Sequence, residues 1–160
     1  MKNLKKLFSV LLALALSLTL AGAALAEATE AEPEKDRFEG EWICNRATML
    51  IILEDDGYRV NIRWGSSAWE ESEWDYGCIL ENGVLVSTPF GTCDDVTYDD
   101  NGNEISRVTR YDDDVSSFTL TEDGHLVWKS EKEQFEQEMA FEFSRSLEEV
   151  LAEDAGDSEG

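Results

Sequence analysis

The chain has 160 residues, and 36 acidic side chains against 13 basic ones give it a formal net charge of −23. That balance excludes nucleic-acid backbones and anionic membrane surfaces as partners, because both are polyanions. It leaves small uncharged molecules, basic proteins or peptides, and divalent cations.

The N-terminal segment reads as an export signal. Lys2, Lys5 and Lys6 form a basic start, Leu7 to Leu20 is apolar, and Ala24-Leu25-Ala26 is a small-x-small cleavage site. Leu7 to Ala26 is long enough to span a bilayer. No basic stop-transfer cluster follows it, however, and no cysteine stands there to carry a lipid. Residues 1–26 are therefore expected to be a signal peptide, and the protein to be secreted, extracellular or in the cell envelope, with no membrane attachment once the signal is removed. Loss of three lysines leaves ten basic residues against 36 acidic ones, a net of −26. Residues 27–37 read as an acidic linker, 38–146 as one domain of ordinary small size and 147–160 as an acidic tail. The tail can open on a short helix with Leu147, Val150 and Leu151 on one side.

From Gly40 onward the chain alternates. Trp42 and Cys44 share one face of the first run. Met49 to Leu53 is continuously apolar, as in a tightly packed strand. Tyr58, Val60, Ile62 and Trp64 alternate with Arg59, Asn61 and Arg63, the cleanest period-2 pattern in the chain. Trp74, Tyr76, Cys78 and Leu80 repeat it. Val84 to Thr88 follows and Pro89 ends it. Cys93 to Tyr98, Ile105 to Tyr111, Ser116 to Leu120, Leu126 to Trp128 and Met139 to Phe143 complete the set. Asp56-Gly57, Asn82-Gly83, Asn101-Gly102 and Asp123-Gly124 punctuate these runs, and such dipeptides supply the positive φ that tight hairpin turns need. The expectation is an all-β, antiparallel up-and-down meander of eight to ten strands. It closes as a β-barrel, which removes both exposed edges.

Three cysteines in an exported chain can oxidise to one pair and one free thiol. Cys44 and Cys78 both fall on the inner phase and are the preferred pair. Buried free thiols are the alternative reading.

Gly40-Glu41-Trp42 at the start of the first strand resembles the Gly-x-Trp that opens lipocalin-like and other calycin barrels. The pattern of turns and strands also resembles small secreted bacterial domains. In the calycin families a basic residue from the end of the last strand lies across that tryptophan. The resemblance thus implies structural roles for Trp42 and for Arg145, which closes Phe141-x-Phe143-x-Arg145. This core is shorter than a typical lipocalin, so its loops must be minimal and any cavity small.

Little in the sequence speaks for catalysis. His125, the only histidine, follows Asp123-Gly124 at a hairpin tip, where a general base would lack burial and an orienting neighbour. No Gly-x-Ser-x-Gly is present, and one His with three scattered Cys offers no zinc-ligand spacing. Asp99, Asn101 and Asn103 begin an EF-hand-like spacing that fails where a bidentate Glu is needed, because Arg110 stands there. Clustered acids at a turn then read as a solvated tip. No metal and no cofactor is expected.

The aromatic residues carry the remaining signal. Trp42, Trp64, Trp74, Trp128, Tyr58, Tyr76, Phe118, Phe141 and Phe143 share the inner phase. Either they fill a small barrel or they line a cup for an apolar or sugar-like ligand. Trp69, in the irregular link Gly65-Ser66-Ser67-Ala68-Trp69, is out of register with its neighbours and is either a binding anchor or a plug for the mouth. The sequence thus points to a non-catalytic binding module using Trp69, Trp64, Trp74, Tyr76 and Tyr58 in or at the mouth of the barrel. The alternative is an acidic interaction or inhibitor protein, with a filled barrel, that binds a basic protein or peptide.

Overall fold

A computed structural model of the protein describes residues 36–156. The expected signal peptide and nearly all of the expected linker lie outside the described residues. Ten strands form one antiparallel sheet: β1 (Gly40–Cys44), β2 (Ala47–Glu54), β3 (Gly57–Gly65), β4 (Glu70–Glu81), β5 (Val84–Ser87), β6 (Gly91–Tyr98), β7 (Glu104–Asp114), β8 (Ser116–Leu120), β9 (Leu126–Ser130) and β10 (Met139–Arg145). One helix among the described residues, α1 (Leu147–Gly156), follows.

Eight strands close the barrel, in the order β3-β2-β1-β10-β9-β8-β5-β4, with β4 pairing back to β3. The expected closed barrel is therefore present, with one addition. β4 is twelve residues long and branches. Its end, Cys78 to Glu81, pairs with β5, and its start, Glu70 to Asp75, pairs with β6. The hairpin β6–β7 thus leaves the barrel wall as a two-stranded ribbon. The Thr88 amide donates to the Gly77 carbonyl at the branch (2.8 Å), just before Pro89 ends β5's course.

The predicted turn dipeptides stand at hairpins. Asn82 and Gly83 are the two turn residues between β4 and β5, with φ of 50° and 84°, the signs a type I′ turn requires. Asn45, with φ 53°, makes a fifth tight turn between β1 and β2 that has no Gly to announce it.

The alternating pattern fills the barrel. Tyr58, Val60, Ile62, Trp74, Tyr76, Phe118, Trp128 and Phe141 are buried with Met49, Ile51, Leu85 and Leu126. The ring centroids of Tyr76 and Phe118 are 5.7 Å apart and those of Trp74 and Trp128 5.2 Å, both edge to face, the arrangement aromatic quadrupoles favour. Gly91 permits this closeness, because a Cβ there would lie 2.4 Å from the Tyr76 ring.

The lower end, beside the β2–β3 turn, is closed by Phe38. Its carbonyl accepts the Trp42 indole N–H (2.8 Å), and Asp36 caps the Phe38 and Glu39 amides while accepting the Tyr58 hydroxyl. Two members of the expected inner set differ. Leu80 is exposed where β4 runs out at the lower rim, and Phe143, opposite Trp42 near the end of β10, is half-exposed; the register shift beyond it, at Glu41/Trp42, sets Arg145 opposite Glu41. Phe143 still meets the Trp42 ring edge-on at 5.2 Å.

The expected tail opens on α1, which packs on β1. Ser146 and Glu149 form a reciprocal capping box at its start, with the Ser146 amide donating to Glu149 at 2.8 Å.

Candidate ligand site at the barrel mouth

Hydrophobic alternation carries β3 and β4 upward past the barrel's packed middle, and there the side chains change character. Trp64, at the end of β3, is only half-buried. Trp74 is buried, but its indole N–H donates to the Tyr111 hydroxyl (2.8 Å), which donates in turn to Glu133 Oε1 (2.6 Å). The Arg110 guanidinium reaches the same carboxylate oxygen at 3.1 Å, Cys93 Sγ at 2.8 Å and Asp95 at 3.4 Å. It also lies 5.7 Å from the centres of both the Trp74 and Tyr111 rings, within cation–π range. Burial pushes the Tyr111 hydroxyl well above the usual range, and the Glu133 carboxylate that takes its hydrogen bond adds to the rise. Burial likewise raises the Cys93 thiol, opposed by Arg110.

Glu133 belongs to residues 131–138, the link between β9 and β10, which folds over the mouth. Its first half is tied down. The Lys132 amide donates to Asp114 Oδ1 (3.1 Å), and the Glu133 amide donates to Ser130 Oγ (2.9 Å). Its second half is held differently. Among the described residues, no hydrogen bond reaches the chain between Gln134 and Gln137. Instead the Phe135 ring stacks parallel to Trp64, 6.2 Å between centroids and 1° between planes, and tilts onto Trp128 at 4.8 Å. A shallow, open concavity of about 470 Å³ is formed by the link itself with the adjoining ends of β9 and β10, Trp128, Ser130, Glu133, Phe135 and Met139 being in its lining.

Beneath the link sits Asp114, fully buried at the end of β7. Its carboxylate accepts from the Tyr76 hydroxyl (2.8 Å), Ser130 Oγ (2.8 Å) and Ser116 Oγ (3.1 Å) in addition to the Lys132 amide. Four donors replace the water that a carboxylate loses on burial.

The residues expected to bind do not all meet here. Trp64 and Trp74 lie at the mouth. Tyr76 is in the middle of the core, and Tyr58 is at the opposite end, bonded to Asp36. Trp69 is 46% exposed. Its link is ordered by the Ser66 and Ser67 amides on the Glu70 carbonyl and leans on β6 through the Tyr98 amide on the Trp69 carbonyl. Trp69 thus stands at the rim and does not plug the mouth; Phe135 does. That residue was not among the expected ligands. The signal for it was a lone aromatic in an otherwise polar run, Glu131-Lys132-Glu133-Gln134-Phe135-Glu136-Gln137-Glu138.

Other expectations resolve elsewhere. The Arg145 guanidinium turns outward and holds both oxygens of Glu41 (2.9 and 3.0 Å), with Glu153 alongside, while Phe143 takes the place beside Trp42. Cys44, Cys78 and Cys93 are free thiols. Cys44 aligns across β2 and β3 with Ser72, so Cys78 is three strands away and six residues further along, out of reach of a disulfide. Burial pushes the Cys78 thiol up to about 12. Asp99 spends its carboxylate on the Asn101 and Asn103 amides, as in a solvated turn. His125 sits between Asp123 (3.2 Å) and Glu142 (3.9 Å) at its hairpin.

A second concavity, an open groove of about 500 Å³, lies on the outer face where the β6–β7 ribbon departs. Thr48, Leu50, Asn61, Glu73 and Asp94 are in its lining, with Val150 of α1. Its charges pair among themselves: Arg107 with Glu73 (2.7 Å), Asp94 (3.2 Å) and Glu104 (2.8 Å), and Arg63 with Glu73 (3.4 Å).

Neither a family model, nor a curated protein, nor a solved structure matches this chain.

Proposed function

We propose that the protein is an exported, non-catalytic binding module that holds a small ring-bearing ligand, apolar or saccharide-like, at the upper mouth of its barrel. The observation that carries this reading is the aromatic slot of Trp64 and Trp128. It is closed by one side chain, Phe135, on a stretch of chain that makes no hydrogen bond among the described residues. The lumen below is filled with rings in edge contact, so the ligand belongs at the mouth with Trp64, Trp74 and the rim residue Trp69.

The non-catalytic part rests on how acid–base groups are used. Asp114 is committed to four donors and Glu133 to Tyr111 and Arg110. A second reading is favoured by the charge of −26 expected after signal removal. On that reading the outer surface recruits a basic protein or peptide.

Native mass spectrometry of protein isolated from its own cells tests the first reading. A bound small molecule is expected, and its loss in a Trp64→Ala variant that keeps its near-ultraviolet circular dichroism. Apo mass alone, together with tryptophan fluorescence that no apolar or sugar compound moves, would overturn it.

A further inference from the structure

The link over the mouth offers two groups to the barrel, a carboxylate and a flat ring, two residues apart. Each meets a receptor, the carboxylate on β7 of the ribbon and the ring on β3 and β9 of the barrel. The Glu133 carboxylate takes a hydrogen bond from Tyr111 (2.6 Å) and one oxygen of it faces Arg110 (3.1 Å). The Phe135 ring is stacked on Trp64 and tilted on Trp128. The receptors belong to strands, or to the end of one, and are braced without the link. Trp74 donates to the Tyr111 hydroxyl, Asp95 and Cys93 hold Arg110 from the other side, and Trp128 is anchored by its indole N–H on Ser116 Oγ (3.1 Å). Chemically the link behaves as a ligand built into the chain.

We propose that residues 133–138 are a displaceable pseudo-ligand, and that the site they fill takes a small molecule carrying a flat aromatic ring and a carboxylate. This rests on the mouth being the binding site and adds the ligand class and the gate. On displacement, the incoming carboxylate inherits the bonds to Tyr111 and Arg110, and the incoming ring inherits the stack on Trp64 and Trp128. The exchange is close to balanced, since equivalent contacts are broken and made. What favours it is that, among the described residues, the chain between Gln134 and Gln137 has no hydrogen bond to give up when it leaves. Lys132 and Ser130 stay anchored to Asp114 and serve as the hinge. On a protein of net charge −23, an anion gains nothing from the long-range field, so any preference for it must come from Arg110 and Tyr111.

The test uses 1-naphthaleneacetate and its uncharged amide as probes, titrated calorimetrically into the full protein. The carboxylate is expected to bind more tightly than the amide, and Arg110→Met to abolish that preference. Removing the built-in groups with Glu133→Gln and Phe135→Ala should tighten 1-naphthaleneacetate by about tenfold, because the closed state no longer competes. Nuclear Overhauser contacts on the unmodified protein provide a measurement that no variant can spoil. The Phe135 ring protons should lose their contacts with Trp64 and Trp128 when the probe binds, since binding expels the link. Contacts kept on binding, or no tightening in the two variants, overturns the gate. Equal affinity for the amide overturns the ligand class but leaves the mouth as a binding site. A failure of both probes in every variant overturns the mouth itself.

Discussion

Asp114 is where a single residue carries most weight. It is a fully buried carboxylate, satisfied by three hydroxyls and one amide drawn from β4, β8, β9 and the link beyond. Nothing in its sequence context, Asp112-Asp113-Asp114, distinguishes it from its exposed neighbours. Hydrogen bonds to a buried charge are stronger than neutral ones, and their donors are costly to orphan. Asp114→Ala is therefore expected to lower the unfolding free energy by about 3 kcal/mol, as read from the urea midpoint at constant slope. The Tyr76 hydroxyl would then be left without its acceptor in the middle of the core. An unchanged midpoint would mean that the four bonds only compensate the burial of the charge. Tyr58, Tyr76 and Trp74 illustrate the converse. Their inward phase was legible, but their partners, Asp36, Asp114 and Tyr111, were not, because each partner is 22 to 38 residues away.

At the scale of elements, the branching of β4 creates the outer groove. A strand that pairs with β5 along one half and with β6 along the other lets a ribbon leave the wall without leaving an edge in the barrel. The ribbon is fastened to the outer face by Arg107, which bridges Glu73, Asp94 and Glu104. Arg107 is partly exposed, so its loss should cost the whole fold only about 1 kcal/mol. Its local effect should be larger, because Glu73 and Asp94 are mostly covered and would repel each other. In Arg107→Ala, amides of β6 and β7 are expected to exchange faster while those of β2 and β3 keep their protection. Uniform protection across all four strands would count against this role. The outer edge of β7 carries Arg107 and Arg110 and sits in a pairing with three register shifts, features that discourage further strand addition.

For the whole molecule, charge dominates. A net of −23 on a small protein raises the free energy of the compact state by self-repulsion. The ion pairs on the surface offset only part of this, since exposed pairs contribute little. The melting temperature is accordingly expected to rise when sodium chloride is increased from about 10 mM to about 150 mM, over which the screening length falls from about 30 Å to about 8 Å. A melting temperature that falls with salt would place the ion-pair network, not net repulsion, in control.

Local chemistry was enough to read the all-β class, the hairpin positions and the inward set from Tyr58 to Ile62, because alternation and positive-φ turns act over a few residues. It also read the start of α1. Closure through β1 and β10, the branch at β4 and the turning outward of Arg145 depend on register between distant strands, which no short window contains. The mouth was legible only in part. Trp64 and Trp74 stood out, whereas Glu133 and Phe135 looked like a solvated link until the fold brought Tyr111, Arg110 and Trp128 beneath them. The sequence by itself therefore determined an acidic, all-β chain with its aromatic residues on the inner phase. That these residues fill the barrel, and that Glu133 and Phe135 cover its upper end, was decided by tertiary structure, because a stack and a carboxylate pair exist only once strands far apart in the chain lie side by side.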